Sequence, residues 1–161
     1  MDEELIEKKV SSEDIFDGAL LHVKRDTVTL PNGNKATREW IAHPGASSII
    51  PLTDKGEVIL VRQYRYPIGK VTLEVPGKLD APDEDPLYCA KRELSEETGY
   101  VAERITKLST IATTVGFSNE YIHMYLAEGL TPGKQHPDED EFINVVKMPL
   151  EEAVAMVLDG R

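Results

Sequence analysis

Arg92-Glu93-Leu94-Ser95-Glu96-Glu97-Thr98-Gly99 is the segment of this chain richest in chemistry. On a helix, Glu93, Glu96 and Glu97 stand at i, i+3 and i+4 and share one face. Three like charges there oppose the helix by about 0.2–0.5 kcal/mol per close pair. They also crowd the C-terminal end, where the helix dipole favours cations. A hard divalent cation such as Mg²⁺ or Mn²⁺ takes oxygen ligands and would offset both costs. The plainer alternative is a solvated acidic face softened by Lys91 and Arg92.

A helix from about Pro86 to Thr98 must carry these carboxylates. Asp85 can cap it, Pro86 suits its first position, and Gly99 can end it in a left-handed conformation. Leu87, Ala90 and Leu94 recur at helical spacing. Upstream, Leu21–Leu30, an Asn-Gly turn at 31–34 and Thr37–Ala42 read as a β hairpin. His43-Pro44-Gly45-Ala46 breaks the pattern. It divides a small N-terminal antiparallel β domain (1–43) from the remainder (44–161). Further strands are expected at 47–52, 57–64, 71–75, 109–113, 121–127 and 143–148. A final helix follows Pro149 and stops abruptly at Gly160-Arg161, as if a longer natural helix had been truncated. The class is α+β, with an α/β/α sandwich around a mixed sheet after the N-terminal unit.

The chain has 161 residues, 40% of them hydrophobic, enough for a proper core. Its net charge of −11 is unevenly spread, with −1 in residues 1–79 and −10 in residues 80–161. A nucleic-acid binder working through its own field would be basic, so that class is excluded. No apolar run is long enough to span a membrane, and the acidic N-terminus lacks a signal-peptide core. A single cysteine, Cys89, allows no internal disulfide, and a cytoplasmic location is expected. Cys89 lies in the helix and is expected to pack. His22, His43, His123 and His136 have no metal-ligand spacing.

Gly77 through Glu84, then seven residues, then Arg92 to Tyr100 resembles the Nudix box, G-x5-E-x7-R-E-U-x-E-E-x-G-U, where U is bulky and aliphatic and Tyr100 takes the last U as an aromatic. Glu84, Arg92, Glu93, Glu96, Glu97 and Gly99 all match. Six residues, not five, separate Gly77 from Glu84, so strict register puts Lys78 at the box glycine. Either the glycine has shifted, or the loop around Ala81-Pro82-Asp83 carries an extra residue. The resemblance implies hydrolysis of a nucleoside diphosphate linked to another group. It implies Glu93 and Glu97 as metal ligands, Glu96 on metal or water, and the carbonyl of Gly77 or Pro76 as a further ligand. Arg92 would pair with Glu84 or Glu93, or serve as an ordinary partner of Glu96.

The rest of the chain resembles the ADP-ribose pyrophosphatase branch of that family. Leu30 through Arg38-Glu39-Trp40 to Gly45 matches its N-terminal β domain, which the branch exchanges across a homodimer. Arg38 and Trp40 would help cradle the adenine, although Trp40 could instead pack in a dimer core. Arg65, in Val61–Pro67, matches a phosphate-binding arginine, with a surface salt bridge as the alternative. Leu73-Glu74-Val75-Pro76-Gly77 matches the approach to the box, with Glu74 a further acid near the metals. Thr113–Glu120 matches a loop in which Ser118 and Glu120 meet the distal sugar, though Val115 stands where the branch carries proline. In the acidic run 138–141, Glu141 is the better match to the branch's general base and Glu139 the second. The resemblance therefore implies a homodimeric, Mg²⁺-dependent enzyme, with Mn²⁺ as a substitute, converting ADP-ribose to AMP and ribose 5-phosphate. Two alternatives stay open: another nucleoside diphosphate sugar such as GDP-mannose, or a non-catalytic nucleotide-binding module.

Overall fold

Gly33 takes φ 84°, and the Asn32 side chain accepts the Asn34 N–H at 3.0 Å. That turn reverses β2 (His22–Thr29) into β3 (Lys35–Ala42) with Asp26 opposite Arg38 and Lys24 opposite Trp40. The computed structural model describes residues 2–78 and 83–161. A strand that the sequence pattern does not reveal, β1 (Lys8–Asp17), completes this sheet in the order β1-β2-β3. Its pairing with β2 is irregular at Val10 and at Ile15, and every residue along it is exposed. Irregularities of this kind destroy the period of two on which strand recognition depends.

The chain divides into two compact units, residues 1–45 with 112–121 and residues 46–111 with 122–161. In the first unit only Val28 and Asp26 of the sheet are buried. Asp26 accepts the Ser12 hydroxyl at 2.5 Å. Segment 117–119 docks on the end of β3. Ile41 N–H donates to Phe117 O at 2.8 Å, and His43 N–H to the Asn119 side chain at 2.7 Å.

The second unit has two three-stranded sheets. In one, β4 (Ala46–Pro51) runs parallel to β8 (Tyr121–Pro132), which also neighbours β7 (Tyr100–Ala112). In the other, β5 (Glu57–Arg65) lies antiparallel between β6 (Lys70–Glu74) and β9 (Asn144–Pro149). Val58 to Val61 are all buried, as a central strand requires. Helix α1 (Pro86–Thr98) sets Ala90 and Leu94 into a core with Ile49, Tyr125 and Ala127. Helix α2 (Leu150–Asp159) ends where Gly160 turns to φ 80°.

Two strands outrun their sequence-based limits. β7 starts at Tyr100 rather than at 109, because its polar residues Glu103, Arg104 and Lys107 hide the pattern. β8 runs to Pro132 rather than ending at 127, with Gly129 at φ 64° inside the strand. Two helices with parallel and antiparallel pairings make the expected α+β class with a mixed sheet.

Candidate active site

Asp85 caps α1 through its side chain, which accepts Tyr88 N–H at 2.8 Å, and Pro86 occupies the first turn. At the far end Gly99 takes φ 76°. A Cβ there would come within 2.7 Å of Gln135 N, so glycine is needed both for the dihedral and for the approach of the 133–135 segment. These caps fix the phase of the helix, and that phase turns Glu93 and Glu97 inward. Glu93 is 1% exposed and Glu97 3%.

Arg92 organises three carboxylates. Its Nε and Nη2 reach Glu84 at 3.0 and 3.1 Å, and its Nη1 reaches both Glu93 and Glu96 at 2.6 Å. The planar guanidinium fork makes this possible, where an ammonium would hold fewer partners. One positive charge thus serves three negative ones. The two pairings expected for Arg92 are both present, and the Glu96 pair is present with them.

Glu97 is bonded differently. It accepts the Gly77 N–H at 3.1 Å. Burial, with Glu93 close by, pushes its carboxyl up to about 8, against a partial lowering by the Gly77 bond.

Gly77 itself fits only as glycine. A Cβ would collide with Ser47 O and stand 2.7 Å from Ser48 Cα. The strand β4 draws this close because Ile49 N–H donates to Pro76 O at 2.9 Å and Ser47 N–H to Lys78 O at 3.4 Å. The carbonyls of Pro76 and Lys78, on either side of Gly77, both face β4.

Arg65 and Glu74 form a two-point pair at 2.9 and 2.5 Å, and Thr72 also donates to Glu74. The Arg65 guanidinium holds the Glu74 carboxyl below its usual range. Arg65 also feels the charges of Glu97 and Glu141.

The 133–141 segment joins the same cluster. Gly133 N–H donates to Gly99 O at 2.6 Å, and His136 N–H to Glu96 O at 3.0 Å. Lys78 Nζ lies 3.0 Å from Asp138 and 3.1 Å from Glu141. Glu141 is partly buried, while Glu139 is exposed.

The remaining expected site residues lie in the first unit. Arg38, on β3, forms a two-point pair with Glu7, one contact being 2.9 Å. Trp40, two residues along, is partly exposed. Ser118 Oγ accepts Glu120 N–H at 3.1 Å. Glu120 accepts the Thr113 hydroxyl at 2.5 Å and stands 3.5 Å from His43 Nε2.

Three contributors escape a reading of the sequence. Lys78 is visible there only as a register slip. His43 has no neighbour in sequence to mark it, although it faces Glu120. Cys89 is buried as expected, but its thiol also donates to Lys78 O. Burial pushes that thiol up to about 12, so it is inert as a nucleophile. The extra-residue question around Ala81-Pro82-Asp83 falls on positions 79–82, which lie outside the described residues.

The donor set suits a hard divalent cation: two nearly buried carboxylates, Glu93 and Glu97, on one face of the helix. With Arg92 engaging Glu93 and Glu96, no three His, Cys, Asp or Glu residues form a ready-made ligand cluster among the described residues. An apolar groove of about 320 Å³ between α2 and the β5–β6 strands includes none of the box glutamates.

Comparison with known proteins agrees with this class of site. The NUDIX domain pattern matches residues 42–160, and that of the nucleoside diphosphate sugar hydrolase N-terminal domain matches residues 7–41. The ADP-ribose pyrophosphatase of Bacillus subtilis (strain 168) is 42% identical over 156 residues, covering 95% of this chain and 84% of the relative. The methanol dehydrogenase activator of Bacillus methanolicus is 41% identical over 158 residues, covering 96% and 85%. A solved structure described as an ADP compounds hydrolase superposes with a TM-score of 0.82 at 24% identity, over 95% of this chain and 83% of that one. That likeness is one of fold. The fold and the glutamate helix together define a Nudix hydrolase domain behind a nucleoside diphosphate sugar hydrolase N-terminal domain. The chain belongs to the Nudix family. Nudix hydrolases generally use a divalent metal.

Proposed function

We propose that this protein hydrolyses the diphosphate of ADP-ribose, giving AMP and ribose 5-phosphate. The observation that carries the reading is the buried Glu93–Glu97 pair, organised by Arg92 on one side and Gly77 on the other. The ADP-ribose pyrophosphatase of B. subtilis, similar over nearly the whole chain, supports the substrate.

Mg²⁺, or Mn²⁺ in its place, would be held by Glu93, Glu97, Glu96 and the Gly77 carbonyl. When bound it supplies charge neutralisation at the diphosphate and an acidified water. Gly77 is preferred to Pro76 because the Pro76 carbonyl accepts Ile49 N–H. Arg92 keeps the glutamates aligned until ligands displace it. Glu141 serves as general base on the attacking water, and exposed Glu139 is the second choice. The guanidinium of Arg65, fixed by Glu74, meets a phosphate oxygen. Arg38 and Trp40 serve the adenine side, and Ser118 and Glu120 the distal sugar.

The domain of residues 1–43 serves dimerisation. Its sheet exposes Val10, Ile15 and Phe16, and Leu20 and Leu21 beside them, an apolar surface suited to a second copy. The protein works as a cytoplasmic homodimer, without nucleic acid or membrane partners.

Purified protein should release AMP from ADP-ribose only with Mg²⁺ or Mn²⁺. Tight ADP-ribose binding without turnover, across several metals, would instead mark a binding module. Val115, 79% exposed in the 113–120 loop, motivates a second reading in which the substrate is another nucleoside diphosphate sugar such as GDP-mannose. A substrate panel compared by kcat/KM decides between them, and ADP-ribose ranking well below a GDP-sugar overturns the first.

A further inference from the structure

We infer that Lys78 is a positioning residue that holds the 138–141 loop so that the Glu141 carboxylate stands beside the glutamate helix. The inference rests on the proposed role of Glu141 as general base.

Lys78 is well placed for this work. Its carbonyl is held twice, by Ser47 N–H at 3.4 Å and by the Cys89 thiol. The backbone is therefore anchored to β4 and α1 while the side chain extends to the loop. There the ammonium bridges Asp138 at 3.0 Å and Glu141 at 3.1 Å. The loop is shaped to receive it. Glu141 N–H donates to Asp138 O at 3.0 Å, and Asp138 N–H to Glu141 Oε2 at 3.3 Å. This small turn presents both carboxylates to one cation.

The base of the loop is fastened independently, by His136 N–H on Glu96 O and Gly133 N–H on Gly99 O. Those bonds fix where the loop begins but not where its acids point. Residues 138–141 are all acidic, and the neighbouring helix buries Glu93 and Glu97. Like charges drive such a loop toward solvent unless a cation offsets them. Lys78 supplies that cation from the residue next to Gly77, whose N–H binds Glu97. One turn thus sets two distances, that of Glu97 from the backbone and that of Glu141 from the cluster.

The test uses Lys78→Met, Lys78→Arg, Glu141→Gln and the Lys78→Met/Glu141→Gln double variant, assayed at saturating Mg²⁺ with ADP-ribose. Misplacing a reacting group costs rate, not affinity. Lys78→Met should lower kcat about tenfold with KM changed less than about twofold. Lys78→Arg should restore most of the loss. In the Glu141→Gln background, Lys78→Met should cost nothing more. An unchanged or faster Lys78→Met enzyme overturns the inference, as does an equal loss in both backgrounds. A raised KM with intact kcat also overturns it, making Lys78 a substrate contact. Full kcat in Glu141→Gln removes the base assignment and this inference with it. Impaired Glu141→Gln beside unimpaired Lys78→Met removes this inference alone.

Discussion

Glu97 and Gly77, twenty residues apart in sequence, meet through a 3.1 Å bond from the glycine N–H to the carboxylate. The glycine is pressed against β4 so closely that no Cβ fits. The carboxyl is so buried that it resists ionisation. A backbone donor and an unwilling anion therefore face each other where a cation would be welcome.

Glu97→Gln should separate activity from stability. The amide oxygen can still accept the Gly77 N–H, so the fold stays intact. The carboxylate charge is lost, and kcat/KM should fall at least about a hundredfold. The metal-free variant should melt no lower than the parent. Full activity would remove Glu97 from the metal set.

Stability should fall with rising pH in the metal-free protein. The folded carboxyl of Glu97 is raised to about 8 from its ordinary 4.5. Between those values the folded state keeps a proton that the unfolded chain has released. Stability from this group is thus greatest below about pH 4.5, declines through the interval and levels off above about 8. Divalent cation should reverse the trend, adding about 2.7 kcal/mol at a hundred times its Kd. Melting curves from pH 5 to 8.5, with chelator and with Mg²⁺, read both. A metal-free Tm that climbs across that range would contradict the assignment.

Gly77→Ala should damage the site from outside the glutamates. The added methyl meets Ser47 O and Ser48 Cα, both backbone, so strand or turn must move. Overpacking of this kind costs about 1–3 kcal/mol. The shift carries the Glu97 acceptor bond with it, so activity should drop more than stability alone explains. Urea denaturation and kcat, measured at a temperature where the variant is fully folded, separate the two.

Arg92→Ala should be the most destabilising of these changes. Arg92 is largely buried, and its loss leaves Glu84, Glu93 and Glu96 without their shared cation. Removing one partner of such a network costs about 3–5 kcal/mol. Arg92→Lys should recover only part, since an ammonium cannot fork to three carboxylates. Urea denaturation in chelator reads the difference. An Arg92→Lys variant as stable as the parent would mean that charge, not geometry, is what Arg92 supplies.

Local chemistry made α1 and the box legible in the sequence. Asp85, Pro86 and Gly99 are capping signals that act within a turn or two, so the helix runs from Pro86 to Thr98 as its sequence implies. The spacing of Glu93, Glu96 and Glu97 follows from helical geometry alone, and so does their shared face. β1 was not legible, because irregular pairing at Val10 and Ile15 erases its alternation. The full lengths of β7 and β8 were hidden by exposed charges and by Gly129.

Which carboxylate meets which partner was decided only by the tertiary structure. By helical spacing alone Glu93, Glu96 and Glu97 are equivalent acids sharing one face. Packing against β4 and the Gly77 turn buries Glu97 away from Arg92, while Arg92 takes hold of the other two and Glu84. Burial and partner choice depend on what lies across the core, and no local spacing encodes that. The same holds for Lys78 and Glu141, separated by 63 positions and joined at 3.1 Å. Long-range chain folding turns a run of solvated acids and a misplaced lysine into one charged cluster.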